Sequence, residues 1–180
     1  MHKQEIEKIL EGKGDFVKMD YLARYLKKVP PIDMRKFAHL KLAEIYLKKE
    51  MYLSAAQSFR SAAINSVTFR EKRENFLKES KAWISSFDFE EADKALKRAL
   101  SEGNSREKEA IYGEFINFFK KQIENVEKKN KPGHLMKLYE KFLNLKANEK
   151  EKENVKEKLV KIYDKLGKVK EANLLKGLNN

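Results

Sequence analysis

The feature that most constrains this chain is the spacing of its small and aromatic side chains over residues 41–63. Tyr46 shares one predicted helical segment with Leu42 and Ala43. The positions nine, thirteen and sixteen residues after Tyr46 hold Ala55, Phe59 and Ala62. Small residues let two helices approach closely, and aromatic rings fill the space beside them. The spacing therefore predicts two antiparallel helices joined by a tight turn.

The same spacing occurs twice more along the chain. Trp83 stands where Tyr46 stood, and the same offsets from it hold Ala92, Leu96 and Ala99. The third occurrence starts at Tyr163, and its offsets hold Ala172, Lys176 and Asn179. Polar residues at the last two offsets are typical of the terminal helix of a stack, because that helix has no further neighbour to pack against.

Periodicity predicts ten helices and no strand. The three Pro and seven Gly fall almost entirely between periodic segments, and strand-like alternation is absent. Asp15 and Asp33 are predicted N-caps of the second and third helices, because Asp accepts hydrogen bonds from the first free backbone N–H groups. Asp88 and Glu91 have the spacing of a capping box at the start of the sixth helix.

The spacing that recurs after Tyr46, Trp83 and Tyr163 resembles the tetratricopeptide repeat, whose pattern places an aromatic residue and then Ala-x3-Phe in a helical hairpin. The resemblance implies one all-α domain, a right-handed α-solenoid (superhelix) of about five antiparallel helical hairpins. Their expected bounds are residues 1–31, 32–66, 67–102, 103–147 and 148–180. The resemblance is good over 34–99 and fair over 155–175, whereas residues 105–147 lack the repeat spacing. Related helical-repeat families with longer hairpins, such as α-SNAP-like adaptors, remain open.

The resemblance also implies where a partner binds, because tetratricopeptide repeats bind mostly through the inner face of each first helix. Carried over by offset, it gives eight candidate groove residues: Phe37, Leu40, Glu44, Leu47, Leu77, Lys81, Ile84 and Lys161. The early, apolar part of this groove suits an amphipathic helix or an extended hydrophobic peptide. The Lys/Asn/Arg set with which chaperone-binding members grip a terminal carboxylate is not found at these offsets. The alternative is that the first two helices cover Phe37, Leu40 and Leu47.

The sequence contains no recognisable catalytic, cofactor-binding or metal-binding pattern. His2, His39 and His134 lie far apart without ligand spacing, and Cys is absent. The Gly residues do not form a phosphate-binding loop. We therefore expect no enzyme activity, no cofactor and no metal, and we predict a non-enzymatic protein–protein interaction scaffold or adaptor.

The net charge of +12 is unevenly distributed along the chain. Residues 1–119 contain 23 basic and 19 acidic residues, and residues 120–180 contain 17 and 9, so the balances are +4 and +8. A basic surface attracts nucleic acid, anionic lipid or an acidic protein. Nucleic-acid binding is therefore the alternative function, with candidate contacts at Arg60, Arg70, Lys72, Arg73, Lys120, Lys121, Lys128, Lys129 and Lys131. Against it, few aromatic side chains are expected to be free for base stacking, and only seven Arg are present.

The composition also predicts a cytoplasmic protein with a thermophile-like surface. Charged residues make up 38% of the chain, and Lys and Glu dominate them, as in surfaces covered by ion-pair networks. A chain without Cys fits a reducing compartment. No apolar run is long enough for a signal peptide or for the ~20 residues of a membrane span.

Overall fold

In the computed structural model, which describes residues 2–101 and 103–177, the chain forms ten α-helices and no β-strand. The predicted all-α class is therefore confirmed for this part of the chain. The helices are α1 (Lys3–Leu10), α2 (Asp15–Lys27), α3 (Ile32–Lys48), α4 (Tyr52–Ile64), α5 (Phe69–Ser85), α6 (Phe89–Ser101), α7 (Ser105–Lys128), α8 (Pro132–Leu143), α9 (Glu149–Lys165) and α10 (Val169–Lys176).

Two of the three predicted helix starts differ from the expectation. The N-cap residues of α2 and α3 are Gly14 and Pro31. Asp15 and Asp33 therefore lie inside the first turns of these helices. An acidic side chain in the first turn still stabilises a helix, since it faces the positive end of the helix dipole. The predicted cap at Asp88 is confirmed, because its Oδ1 accepts a hydrogen bond from the Glu91 backbone N–H at 3.1 Å.

Contacts divide the chain into two compact units, and the division falls inside α7. The first unit ends at Gly113 and the second begins at Glu114. The first unit therefore contains α1–α6 and the start of α7, and the second contains the rest of α7 with α8–α10. With 24 residues α7 is the longest helix, and it begins the stretch that lacks the repeat spacing.

The N-terminal end of the first unit has a core shared by α1, α2 and α3. Its buried members are mainly aliphatic: Ile6, Leu10, Leu22, Met34, Ala38 and Leu42. Partly buried side chains, including Tyr25 and Tyr46, pack against this cluster. The amphipathic α1 thus buries its apolar face on α2 and α3, which a helix of eight residues needs because short helices are marginal in water.

From α3 to α6 the first unit is built of consecutive helices that pack through alanines. Each of the pairs α3–α4, α4–α5 and α5–α6 is in contact. Only three residues join α3 to α4 and α5 to α6, and such short connections make neighbouring helices antiparallel. The alanines of these seams are buried: Ala55, Ala56, Ala62, Ala63, Ala82, Ala92, Ala95 and Ala99. Phe59 and Trp83 are buried beside them, whereas Tyr46 is only half-buried.

The second unit has an aromatic core instead. Phe119 packs between Phe115 and Phe142, with ring centroids 6.2 Å and 6.1 Å apart. Tyr139 is buried with them, and α9 packs against both α8 and α10. Such rings dominate the energetics of a small core because each buries a large apolar area.

The last helix differs in part from its predicted capping role. Lys176 is exposed, as its offset predicts, whereas Asn179 lies outside the described residues. Leu174 of α10 is also exposed, so the outer face of this helix is not wholly polar. Ala172 is the α10 side chain that is fully buried against its neighbours.

Candidate functional site

The four groove residues predicted on α3 lie in different surroundings. Phe37 packs against the core of α1–α3, with the Lys41 Nζ 5.6 Å from its ring centroid. Glu44 lines a cleft of about 630 Å³ that also involves α1 and α2. Leu40 is half-buried, and Leu47 is 38% exposed near the end of α3. Leu47 is therefore the predicted apolar groove residue on α3 that is most open to a partner.

Two of the groove residues predicted on α5 are core residues. Leu77 and Ile84 are buried, because α5 packs against both α4 and α6. They cannot line an open groove in this conformation, and the offset that assigned them to a surface fails here. Lys81 is half-buried, and Lys161 is exposed on α9 in the second unit.

A second set of exposed apolar residues lies at one end of the first unit, where α2 meets α3 and α4 meets α5. We define the α4–α5 patch by its five members, which are between 44% and 74% exposed: Val29, Ile32, Ile64, Val67 and Phe69. An ion pair between Lys36 of α3 and Glu71 of α5 joins the two helix starts. Lys72 lies over the Phe69 ring, with Nζ 5.9 Å from the centroid.

The opposite end of the same helices carries a comparable apolar set. We define the α3–α4 patch by five exposed residues: Phe16, Val17, Leu47, Met51 and Leu53. Asp15 at the start of α2 accepts ion pairs from Lys48 and Lys49, both at 3.2 Å, and the Lys49 Nζ lies 5.5 Å from the Phe16 ring centroid. These contacts hold the start of α2 beside the end of α3, and they keep the pKa of Asp15 below its usual range.

The interior of the first unit contains a buried carboxylate with basic partners on both sides. Glu79 of α5 is 0% exposed. Its Oε1 accepts hydrogen bonds from Arg60 Nε of α4 at 2.7 Å, from Arg98 Nη2 of α6 at 2.9 Å and from Trp83 Nε1 at 3.2 Å. Arg98 also lies 5.3 Å from the Phe76 ring centroid. Glu79 thus links three consecutive helices.

Arg60 extends this network to the start of α6. Its Nη2 donates to Glu91 Oε2 at 2.7 Å, and Glu91 also accepts from Lys94. Burial opposes the charge of Arg60, but the bonds to Glu91 and Glu79 outweigh it and raise the pKa of the guanidinium. A carboxylate held by three donors is a fixed structural group. We therefore assign this cluster to the fold.

The second unit has a cleft of about 340 Å³ formed by α7, α8 and α9. Its apolar wall includes Ile123, Phe142 and Val155, and charged side chains surround it. Two contacts between α7 and α9 are ion pairs, Lys120 with Glu151 and Lys158 with Glu127. The cleft thus has an apolar wall, and ion pairs occupy part of its rim.

Glu127 and Tyr139 form the polar contact inside this cleft. The Tyr139 hydroxyl donates to Glu127 Oε1, which also accepts from Lys158 Nζ at 2.9 Å. Burial would raise the pKa of Glu127, but these two bonds outweigh it and lower the pKa below its usual value. Burial and the adjacent carboxylate together raise the pKa of Tyr139 well above its usual value. Glu127 is therefore ionised and Tyr139 protonated at neutral pH.

The described residues contain no group of three or more His, Cys, Asp or Glu side chains placed to hold a metal ion. His39 is half-buried, and burial together with the nearby Arg35 lowers its pKa, so this imidazole is neutral at pH 7. None of the described helices combines the length and the apolar character needed to cross a membrane.

No family model, no curated protein and no solved structure matches this chain.

Sequence reasoning missed the features that distinguish the surface and the interior of the first unit. The exposed Val67 and Phe69 lie next to the predicted basic cluster at Arg70 and Lys72, but the sequence pattern assigned neither residue to a site. Glu79 occupies the repeat position that Leu42 and Leu159 occupy elsewhere. A charged residue at a predicted core position was the signal that could have revealed the buried network.

Proposed function

We propose that this protein is a non-enzymatic interaction scaffold that binds a peptide or an amphipathic helix of another protein. The observation that carries the proposal is the exposure of ten large apolar side chains in the described part of the first unit, most of them close to helix ends. Contiguous exposed apolar surface on a folded domain is typical of interaction sites. The proposal assigns no catalytic residue, no cofactor and no metal.

The proposal includes a tetratricopeptide-like solenoid arrangement of the helical hairpins and a cytoplasmic location. Support for the repeat comes from the burial of the small residues at matched offsets, Ala55 and Ala62 in one pair of helices and Ala92 and Ala99 in the next. Support for the location comes from the absence of Cys. Of the predicted groove residues, Leu47 contributes most directly, because it is also part of the α3–α4 patch.

The experiment that tests this function is a selection of peptides from a random display library against the full-length chain. We expect the selected peptides to share apolar residues at helical spacing and to bind the purified protein in solution. Leu47→Glu and Val67→Glu should each be compared with Gln57→Glu, a substitution at an exposed helix position outside both patches. A library that yields no binding peptide, or peptides whose binding neither patch variant weakens, would remove the proposal.

A second candidate function, nucleic-acid binding, is favoured by one observation. Phe69 is exposed next to Arg70 and Lys72, so an aromatic ring and basic groups lie together on one surface. Single-stranded nucleic acid is bound by such combinations, through base stacking on the ring and phosphate contacts with the basic groups. Filter binding of single-stranded RNA and DNA should then fall steeply as salt increases, and Phe69→Ala should weaken it. No retention of either nucleic acid at low salt would eliminate this candidate.

A further inference from the structure

We propose that the α4–α5 patch is the docking site for an amphipathic helix whose polar face is acidic. The inference rests on the proposed scaffold function and names both the surface and the chemistry of the partner. The patch contains four aliphatic side chains and one aromatic side chain. Its members come from the turn before α3, the start of α3, the end of α4, the connection between α4 and α5, and the start of α5.

The starts of α3 and α5 and the end of α4 lie at the same end of the first unit, because consecutive helices joined by short connections are antiparallel. Lys36 and Glu71 form a partly buried ion pair between α3 and α5. Ile32 precedes Lys36 by one helical turn on the same face of α3, and Phe69 precedes Glu71 at the start of α5. This ion pair brings the first turns of α3 and α5 together, so Ile32 and Phe69 lie at the same end of these two helices.

Val29 belongs to the turn that follows α2. Val29 has a φ of 49°, in the left-handed region that β-branched residues rarely adopt, and its side chain is exposed. Gly or Asn would adopt this conformation at lower cost in free energy. Glu50, Phe87 and Asn130 have the same backbone conformation two residues after α3, α5 and α7, so it is a feature of helix ends, and Val29 contributes to the patch through its exposed side chain.

The charges around the patch determine the polarity of the partner. Residues 27–36 and 64–74 contain seven basic and three acidic residues, a formal charge of +4. Three of the seven basic residues are paired, Lys36 with Glu71, Arg70 with Glu74 and Arg73 with Glu107, so the charge in excess of these pairs is +3. The basic residues that surround the apolar side chains therefore favour a partner with acidic residues.

The α3–α4 patch lacks this charge and so provides an internal control. Segments of the same lengths around it, residues 14–23 and 47–57, contain three basic and three acidic residues. Its apolar members are exposed to a similar degree. An acidic helix should therefore distinguish between the two ends of the first unit, whereas a purely hydrophobic contact should not.

The composition of the α4–α5 patch favours a helix over a nucleic acid. Nucleic-acid bases stack on aromatic rings, and Phe69 is the only ring among the five patch residues. The four aliphatic residues instead match the apolar side chains that an amphipathic helix presents at successive turns. A single-stranded RNA is therefore included in the experiment as a competitor.

The test uses the full-length chain and fluorescein-labelled synthetic helices of about 18 residues, which is roughly five helical turns. One peptide has leucines on one face and glutamates on the other, and a second has lysines in place of the glutamates. By fluorescence anisotropy, the acidic peptide should bind at least about tenfold more tightly at low salt, and this difference should shrink at high salt as the charges are screened. Val67→Asp should weaken its binding at least about tenfold, whereas the matched control Leu53→Asp should leave it unchanged.

A third variant separates binding from folding. Val29→Asn should weaken binding of the acidic peptide without lowering the melting temperature, because Asn tolerates positive φ. The inference would be overturned if Val67→Asp and Leu53→Asp weakened binding of the acidic peptide equally. It would also be overturned if the wild type bound the acidic and basic peptides with equal affinity. If library peptides bind and Leu47→Glu weakens their binding, but neither Val67→Asp nor Val29→Asn does, the inference fails and the scaffold function stands.

Two further results would assign the patch to something else. Sedimentation that shows a dimer of the wild type, and a monomer of Val67→Asp, would make the patch an interface between copies of this chain. Binding of single-stranded RNA with no binding of any peptide would overturn both this inference and the scaffold function.

Discussion

The two compact units build their interiors from different side chains. In the described part of the first unit six polar or charged residues are buried, and all of them lie from Ser58 to Ser85. In the described part of the second unit every buried residue is aliphatic or aromatic. The first unit relies on alanine seams, and the second relies on a cluster of phenylalanine and tyrosine rings.

This difference shows how close helix packing changes what a core can contain. Alanine seams leave room for small polar side chains, whose hydroxyls bond to nearby carbonyl oxygens. Ser80 Oγ, for example, donates to the Ala92 carbonyl oxygen at 2.8 Å, and Ser66 Oγ donates to that of Ala62 at 2.9 Å. The first unit should therefore be sensitive to added volume and lost charge, and the second to cavities.

The largest expected effect is in the aromatic core. Phe119→Ala should lower the free energy of unfolding of the second unit by about 3–5 kcal/mol, because it removes a buried ring between two others. Urea denaturation followed by circular dichroism measures this loss. Phe16→Ala removes an exposed ring and should change the free energy by less than about 0.5 kcal/mol. Equal effects of the two substitutions would contradict the aromatic core.

The next effect tests the buried network of the first unit. Glu79→Gln should lower the free energy of unfolding by about 2–3 kcal/mol. That is less than the ~3–5 kcal/mol typical of breaking a buried pair, because Arg60 and Arg98 can turn their partly exposed guanidinium groups towards water. Trp83, the single Trp, donates to Glu79 and reports the change by fluorescence. Glu74→Gln breaks only an exposed pair with Arg70 and should cost less than about 0.5 kcal/mol.

Added volume should destabilise the alanine seams of the first unit. Ala62→Leu places a larger side chain in a closed seam and should cost about 1–3 kcal/mol. Ala23→Leu makes the same change at an exposed position of α2 and should be nearly neutral. Thermal melts of the two variants provide the comparison. A seam that accepts leucine at Ala62 without loss of stability would show that the helices can move apart at little cost.

The smallest effect is a pH dependence of the second unit. The pKa of Tyr139 is raised in the folded state, so folding holds its proton more tightly than the unfolded chain does. The resulting stability is present below the ordinary tyrosine pKa of 10.0 and is lost as pH rises above it, at up to about 1.4 kcal/mol per pH unit. Tyr139→Phe should remove this contribution to the slope of the free energy of unfolding against pH, which denaturation experiments between neutral and alkaline pH measure. An unchanged slope would show that burial and the bond to Glu127 do not raise the pKa of Tyr139 in solution.

Much of the fold could be predicted from the sequence, because the helical periodicity is strong and interrupted at Pro and Gly. The aromatic and alanine positions around Phe59 and Trp83 were correctly predicted to be buried. The division inside α7 was not predicted, since a continuous helical pattern gives no signal for where long-range contacts end. The all-α class is thus a property of local sequence, whereas the two units depend on contacts between distant residues.

The candidate site was less predictable. Offsets from the repeat pattern placed Leu77 and Ile84 on a surface, although contacts with α4 and α6 bury them. Exposure of an apolar residue near a helix end, as at Val67, depends on whether a neighbouring helix extends past it, and the sequence pattern does not specify this. The tetratricopeptide-like arrangement and the identity of the partner stay predictions.

Hydrogen exchange of the full-length chain, followed by mass spectrometry with and without the acidic amphipathic peptide, tests the central claim most directly. The claim is that the first unit binds a partner helix through the α4–α5 patch. When the acidic peptide is bound, we expect slower exchange in the proteolytic fragments of the protein that cover residues 28–36 and 64–73. Exchange over residues 114–177 should be unchanged. Slower exchange confined to the second unit, or unchanged exchange throughout at a peptide concentration that saturates binding, would contradict it.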